Sequence, residues 1–202
     1  MLDKYIVPRI KSPLRKGAVF LDRAGLSANQ VTVTGFVIGM LAIAAVASGH
    51  FVLALICLIL NRLADGLDGE LARLNKPSDA GSFLDITLDF IFYASFPLGF
   101  ALYAPAINAL PAAFLIASFV GTGASFLAFA AQADRKGFTS PDFAYKGLYY
   151  LDGLAEGTET IICFVLMCLF PTKFAVIAWF FAALCLVTTI NRVYGGYCTL
   201  NN

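Results

Sequence analysis

The chain has 202 residues, of which 59% are hydrophobic and only 13% carry a charged side chain, about half of what soluble domains contain. A mean hydropathy of +0.79 is too high for an ordinary soluble core of this length and fits a bundle of membrane helices. The net charge is +1, so nothing attracts the chain as a whole to nucleic acid, and we expect no nucleic-acid partner.

The first 24 residues mix apolar side chains with six basic ones and are too polar to cross a membrane. This pattern predicts an amphipathic helix in the membrane interface, its cations near anionic lipid headgroups. A solvated basic tail is the alternative. We therefore divide the chain into an N-terminal interfacial segment, 1–24, and a membrane domain, 25–202.

Six apolar stretches follow, each close to the roughly 20 residues that a membrane-spanning helix needs. They predict an all-α integral membrane protein with six transmembrane helices after the interfacial helix. The predicted spans are Gln30–Ser48, Phe51–Leu74, Ala80–Tyr103, Leu110–Ala133, Leu154–Phe170 and Thr172–Tyr197.

The basic residues predict the orientation of these spans. With the N-terminus in the cytosol, thirteen of the fourteen lysines and arginines lie at the inner side, and only Lys173 lies outside. The positive-inside rule therefore predicts that both termini face the cytosol.

Six of the thirteen acidic residues lie in one segment, "DGLDGELARLNKPSDAGSFLDITLD", at the inner ends of the second and third spans. Asp65 and Asp68 share one helix face, and Asp85 and Asp89 share a face of the next helix. A short turn joins the two helices as an antiparallel pair, so we expect the four carboxylates to converge. Such oxygen ligands suit Mg²⁺ or Mn²⁺, and two ions would relieve the repulsion between the carboxylates.

Small residues beside the carboxylates indicate room for a ligand. Gly69 and Ala72 leave space next to Asp68, and Gly81 is expected to let the third span begin close to the second. Arg73 is predicted to pair with a carboxylate or with a phosphate.

The pattern D-x2-D-G-x2-A-R, a short spacer and G-x3-D-x3-D resembles the signature of the CDP-alcohol phosphotransferase family. The matching positions are Asp65, Asp68, Gly69, Ala72, Arg73, Gly81, Asp85 and Asp89. The six-span arrangement and the preceding interfacial helix resemble that family as well.

This resemblance implies an enzyme of phospholipid synthesis that transfers a phosphatidyl group from CDP-diacylglycerol to a small alcohol and releases CMP. It implies that Asp65, Asp68 and Asp85 bind the metal ions, with Asp89 beside them as the general base on the acceptor hydroxyl. Gly69 and Ala72 would make room for the cytidine. A bacterial inner membrane, with the active site on the cytosolic side, follows from the same resemblance.

A second element, "SANQVTVTG", resembles a family pattern at the start of the first span, with Ala28 where proline is common. It makes Thr32 a candidate nucleotide contact, along with the residues of the main motif; a hydroxyl with only a helix-start role is an equal alternative.

The acceptor is less well defined by the sequence. A phosphorylated acceptor, such as glycerol phosphate or inositol phosphate, needs cations. The inner-side candidates are Arg135, Lys136, Lys146 and Arg192, which membrane anchoring explains equally simply. Glu156 and Glu159 are expected either to bind acceptor hydroxyls or an amine, or to stabilise a helix N-terminus.

Two other functions share some of these features. A UbiA-type prenyltransferase also has an Asp-x2-Asp site, but typically adds a second Asp-rich motif and further spans. A divalent-cation transporter would need polar residues through the membrane depth. The resemblance also implies a homodimer. The small-residue face of Gly35 and Gly39 is available for a second copy or for packing within one chain.

Overall fold

The computed structural model describes the backbone of residues 3–137 and 153–201 and the side chains of 10–137 and 153–201. Within these ranges the regular structure is entirely helical, as the sequence predicts. The helices are α1 Asp3–Arg23, α2 Ala28–Ala47, α3 Phe51–Asn75, α4 Asp79–Tyr103, α5 Pro105–Arg135, α6 Gly157–Leu169 and α7 Phe174–Asn201, with a 3₁₀ turn at Pro171–Lys173.

Each predicted span corresponds to one of the helices α2 to α7. Helices α2, α4 and α5, and the stretch Pro171–Asn201, are long and apolar enough to cross a membrane. Helix α3 is 25 residues long but carries the charged side chains of the acidic segment, and α6 has only 13 residues. The all-helical membrane fold is confirmed, whereas the number of six crossings stays a prediction.

The structure differs from the expected bounds at α5, which begins five residues before the predicted Leu110. Pro105 occupies the first turn, where its fixed φ suits a helix and its missing N–H costs no hydrogen bond. The helix continues through Pro111, the second residue of the predicted span. Buried contacts in the bundle offset the single lost backbone bond.

Helix α1 packs against α3. A Cβ added at Gly17 would lie 2.7 Å from Leu67, and one added at Gly66 would lie 2.9 Å from Leu14. Between these close approaches, Ala18 is completely buried. The basic residues Lys11, Arg15, Lys16 and Arg23 are exposed. The observed helix agrees with an amphipathic N-terminal element, and its place in the membrane interface remains a prediction.

Small residues of α2 bring it close to α3 and α4. A Cβ at Gly35 would lie 2.7 Å from the Cβ of Ala64, and one at Gly39 would lie 2.8 Å from the ring of Phe92. The small-residue face that offered a dimer contact therefore packs within the chain. This close approach places the start of α2 beside the acidic part of α3.

The interior of the bundle is aromatic. Phe96 stacks on Phe164 with ring centroids 4.2 Å apart, and Phe100 stacks on Phe174 at 4.4 Å, joining α4 to α6 and to the start of α7. Many apolar side chains are exposed on the outer helix faces, for example Val52, Val176 and Phe180. Such an exterior suits lipid rather than water.

Candidate active site

The facing ends of α3 and α4 bring carboxylates from both helices together. Oxygens of Asp65, Asp85 and Asp89 all lie within 4.8 Å of one another, and all three residues are half-buried. The i,i+3 and i,i+4 spacings place the carboxylates of each helix on one face, and both faces line the same pocket.

Asp68 lines the same pocket but is not one of the three clustered carboxylates. Only 3% of this residue is exposed, and its Oδ2 has no hydrogen-bond partner among the described residues. A buried carboxylate oxygen without a partner is costly unless a ligand or cation satisfies it. Asp68 is thus placed to complete the ligand set of the pocket.

The pocket also has a cation of its own, Arg62. Its Nη2 donates a 2.8 Å hydrogen bond to Oδ1 of Asp89, and its Nη1 lies 3.6 Å from Oδ2 of Asp65. Nη1 donates to the hydroxyl of Tyr93, and Nε donates to Oδ1 of Asn61, both at 2.8 Å. Four carboxylates and one guanidinium therefore share the site.

The first turns of α2 supply a further wall of the pocket, through Thr32, Gly35 and Phe36. Ser27 caps this helix, because its hydroxyl accepts from the N–H of Gln30 while the Gln30 side chain accepts from the N–H of Ser27. The Thr32 hydroxyl donates to the carbonyl of Ala28 at 3.0 Å. Thr32 thus has a local helix contact and also faces the pocket.

The small residues of the motif have different surroundings. The nearest atom to a Cβ built at Gly69 would be Nη1 of Arg73, at 3.8 Å, so the guanidinium of Arg73 lies in ordinary contact distance of this position. A Cβ at Gly81 would lie 3.0 Å from both Oδ1 of Asn29 and Oγ of Ser78. The close neighbour of Gly81 is therefore α2, rather than the second span that we expected. Ala72 is half-buried.

Arg73 forms an ion pair with Glu70, a carboxylate on its own helix that is only 5% exposed. The expectation that Arg73 pairs with a carboxylate or a phosphate is met here by Glu70. The guanidinium is itself 44% exposed. It therefore retains area on which a phosphate can bind.

The candidate acceptor residues are spread over α5, α6 and α7. Arg192 is buried, donates to the carbonyl of Thr122 at 3.3 Å and lies over the ring of Phe126. Arg135 and Lys136 are exposed at the end of α5, and the ammonium of Lys136 donates to the carbonyl of Leu200. Lys146 lies outside the described residues.

Glu156 and Glu159 lie at the N-terminus of α6. Glu156 is buried at the N-cap position, and its Oε1 accepts a 3.0 Å hydrogen bond from the N–H of Gly153. Glu159 is in the first turn, where a carboxylate interacts favourably with the helix dipole. These placements favour a local structural role for both residues.

The distribution of basic residues predicts only an inner-side position for Arg62 and does not connect it with the carboxylates. Its spacing of three residues before Asp65 was a usable signal, since i,i+3 side chains share a helix face. The contacts with Tyr93 and Asp89 lie on another helix, so no spacing along the chain could have identified them.

Comparison with known proteins identifies the family of this chain. The model of the CDP-alcohol phosphatidyltransferase family matches residues 26–191, which include every carboxylate of the site. The chain belongs to this family. The resemblance drawn from the motif is thereby confirmed.

Relatives of this CDP-alcohol phosphatidyltransferase differ in how much of the chain they share. Inner membrane protein YnjF of Escherichia coli is 52% identical over 202 residues, 100% of this chain and 98% of the relative. Archaetidylinositol phosphate synthase of Pyrococcus horikoshii is 41% identical over 103 residues, 50% of this chain and 54% of that protein.

The solved structures share the fold. Phosphatidylinositol phosphate synthase of Mycobacterium tuberculosis with CDP-DAG bound gives a TM-score of 0.72 at 20% identity, over 94% of each chain. The same enzyme in complex with manganese and citrate gives 0.66 at 21% identity, over 93% of this chain and 88% of that one.

Membership of the family makes the chain a membrane enzyme that transfers a phosphatidyl group to an alcohol. It favours that activity over both the prenyltransferase and the cation transporter.

Proposed function

We propose that this enzyme transfers a phosphatidyl group from CDP-diacylglycerol to a small soluble alcohol, releasing CMP, in a reaction that depends on divalent metal ions. The observation that carries the proposal is the meeting of Asp65, Asp85 and Asp89 within 4.8 Å, with Asp68 in the same pocket. The crystallised relative that has CDP-DAG bound supports the choice of donor.

The residues of the pocket fit divalent cations. Carboxylate oxygens are the ligands that Mg²⁺ and Mn²⁺ prefer, and the buried Oδ2 of Asp68 lacks a partner. We assign Asp65, Asp68 and Asp85 as ligands, with Asp89 beside them, for two ions. Bound metal would neutralise the charge on the diphosphate and on the leaving CMP. The manganese in a crystallised relative is consistent with this assignment.

Asp89 is the proposed general base. It accepts the proton of the acceptor hydroxyl while that oxygen bonds to the β-phosphorus of the donor. The bond from this phosphorus to the oxygen of CMP breaks, and CMP leaves with its electron pair. A carboxylate that is fully committed to a metal is a weak base, so Asp89 must remain at least partly free.

The nucleotide end of the donor is assigned to residues around the carboxylates. We assign the cytidine to the side of Gly69, where a Cβ would meet only the guanidinium of Arg73, at 3.8 Å. The small residues Ala72 and Gly81 belong to the same assignment. Thr32 lies in the wall of the pocket, and the exposed part of Arg73 offers a phosphate contact.

The acceptor is assigned to the α5 and α7 side of the site. Phe90, which follows Asp89, lies so close to Gly123 that a Cβ there would be 2.6 Å from its ring. The neighbouring Thr122 accepts the hydrogen bond from Arg192. These contacts pack α4 against α5 and α5 against α7. We assign the buried guanidinium of Arg192 to binding a phosphorylated polyol, such as inositol phosphate or glycerol phosphate, as the acceptor.

The remaining candidates have weaker support. The exposed side chains of Arg135 and Lys136 suit attraction of an anionic acceptor, and the same role is proposed for Lys146. We assign Glu156 and Glu159 to stabilising the N-terminus of α6.

The name of the Escherichia coli relative supports an inner-membrane location. We place the active site on its cytosolic side, where the donor nucleotide meets soluble acceptors, with the helix 1–24 in the interface. A homodimer is the proposed assembly, although its interface cannot be the small-residue face of α2.

The proposal is tested with the purified enzyme, CDP-diacylglycerol, Mg²⁺ or Mn²⁺ and a panel of free and phosphorylated alcohols. We expect CMP release that requires both metal and acceptor, and the productive acceptor identifies the product. CMP release that proceeds equally in a metal chelator would contradict metal dependence. Absence of CMP with every acceptor would contradict the choice of donor.

A further inference from the structure

Helix α1 carries a groove with three basic side chains on its exposed surface. The groove is lined by Lys11, Ser12, Arg15, Lys16 and Val19, and we call it the basic groove of α1. All its members except the half-buried Val19 are exposed, and i,i+4 spacing places Lys11 beside Arg15 and Ser12 beside Lys16. Among the described residues, none of the three cations forms an ion pair. The groove therefore presents concentrated positive charge to its surroundings.

The same helix also exposes large apolar side chains. Ile10 is 44% exposed and Phe20 is 72% exposed. A helix that presents both apolar and basic side chains suits the boundary between acyl chains and headgroups. A soluble anion would engage only the cations, whereas an anionic phospholipid engages both kinds of side chain. The surface of α1 thus fits a lipid better than a free phosphate.

The other side of α1 is held against the part of α3 that carries catalytic carboxylates. Leu14 lies so close to Gly66 that a Cβ there would be 2.9 Å from its side chain, and Gly66 lies between two of the site aspartates in the chain. Further along, Oδ1 of Asp22 accepts a 2.6 Å hydrogen bond from Nδ2 of Asn75. A displacement of α1 would therefore disturb the turn of α3 that bears those aspartates.

We propose that anionic phospholipid headgroups of the surrounding membrane bind the basic groove of α1 and raise turnover by holding α1 against α3. The inference rests on the proposed function, since the turnover is the phosphatidyl transfer stated there. Headgroup phosphates pair with the cations of the groove, while Ile10 and Phe20 contact the neighbouring acyl chains. With α1 fixed on Gly66, the site carboxylates keep the alignment on which phosphoryl transfer depends.

The test compares two double variants that each remove two exposed cations. Arg15→Gln/Lys16→Gln changes the groove, and Lys76→Gln/Lys173→Gln is the matched control outside it. The first readout is phosphatidylglycerol binding to the purified protein in a zwitterionic detergent, without substrates, with the bound lipid counted by native mass spectrometry. Each cation near a lipid surface contributes about fivefold in affinity, so the groove variant should bind about 30-fold more weakly. The control should bind as the wild type does.

The second readout is CMP release in mixed micelles with saturating CDP-diacylglycerol, metal and acceptor. Saturation matters because the donor is itself anionic, and its attraction to the protein must not limit the rate. We expect turnover of the wild type and of the control to rise as phosphatidylglycerol replaces phosphatidylcholine. The groove variant should lose most of this rise. Inorganic phosphate, added in place of phosphatidylglycerol, should not produce it.

Three outcomes would overturn the inference. Equal phosphatidylglycerol binding by the wild type and the groove variant would exclude the groove as the lipid site. Activation by inorganic phosphate would identify a soluble anion as the ligand instead. Equal activation of the two proteins by phosphatidylglycerol would exclude an effect through α1.

Failure of the proposed function gives a different result. The wild type would then release no CMP under any condition, while the binding readout, which needs no substrate, still decides whether the groove holds anionic lipid. The two failures are thus distinguishable.

Discussion

At the scale of single residues, the site gives four aspartates different surroundings. Asp89 is paired with a guanidinium, Asp68 is buried with an oxygen lacking a partner, and Asp65 and Asp85 lie half-buried between them. Their number and helical spacing were predictable, since both follow from positions in the chain. Their individual partners were not, because Arg62 and Tyr93 come from different helices, α3 and α4, which both pack against α2.

A substitution at Gly69 tests whether the cytidine of the donor lies beside this residue. The nearest atoms to a Cβ at Gly69 belong to the guanidinium of Arg73, at 3.8 and 4.0 Å, so we expect Gly69→Val to fold and bind metal normally. Its side chain would enter the space assigned to cytidine and raise the KM for CDP-diacylglycerol by about 10- to 200-fold, the range for small steric changes in a pocket. Gly69→Ala is the matched smaller change. A wild-type KM in both variants would show that the nucleotide lies elsewhere.

At the scale of helices, apolar length and charge pattern predicted where α2 to α7 lie, but their ends depended on local detail. Helix α5 passes through Pro111 because tertiary contacts outweigh one missing hydrogen bond, which a count of prolines does not reveal. From the sequence, the small-residue face of α2 was equally suited to contact with a second copy of the chain and to packing within one chain. The structure places Ala64 and Phe92 against it, since close approach of α2 is what brings Thr32 to the carboxylates.

Gly35→Val tests that helix contact. The new Cβ would overlap Ala64 at 2.7 Å, so α2 and α3 must separate. We expect destabilisation of about 1–3 kcal/mol, typical of overpacking, with a lower thermal midpoint in detergent. Activity should fall as well, because the pocket wall moves. Gly69→Val serves as the control for valine in a helix, and an equal thermal midpoint for the two variants would count against the close packing.

At the scale of the whole molecule, membrane character and family were readable from composition and one motif, while the acceptor was not. The candidate acceptor residues are spread over α5, α6 and α7 and lie far apart in the chain. The orientation of the protein is likewise a property of the whole bundle. It is predicted by the distribution of basic residues rather than by any contact.

The topology can be tested with single cysteines in a chain whose five native cysteines are replaced. Lys136→Cys should react only with reagents that reach the cytosolic side, and Lys173→Cys only with reagents on the outer side, because the basic residues other than Lys173 face inward. Labelling of position 136 from the outside alone would reverse the predicted orientation and place the active site on the wrong face for cytosolic acceptors.

The central claim is that the α3 and α4 carboxylates perform metal-dependent phosphatidyl transfer, with Asp89 as the base. The most direct measurement compares Mn²⁺ titration and CMP release in Asp85→Asn and Asp89→Asn, with Asp79→Asn as an exposed control on the same helix. We predict that Asp85→Asn loses metal affinity and turnover together. Asp89→Asn should keep most metal binding while turnover falls about 10²- to 10⁴-fold, the range for a lost general base. Near wild-type turnover in Asp89→Asn, or full metal-dependent activity in both variants, would contradict the account.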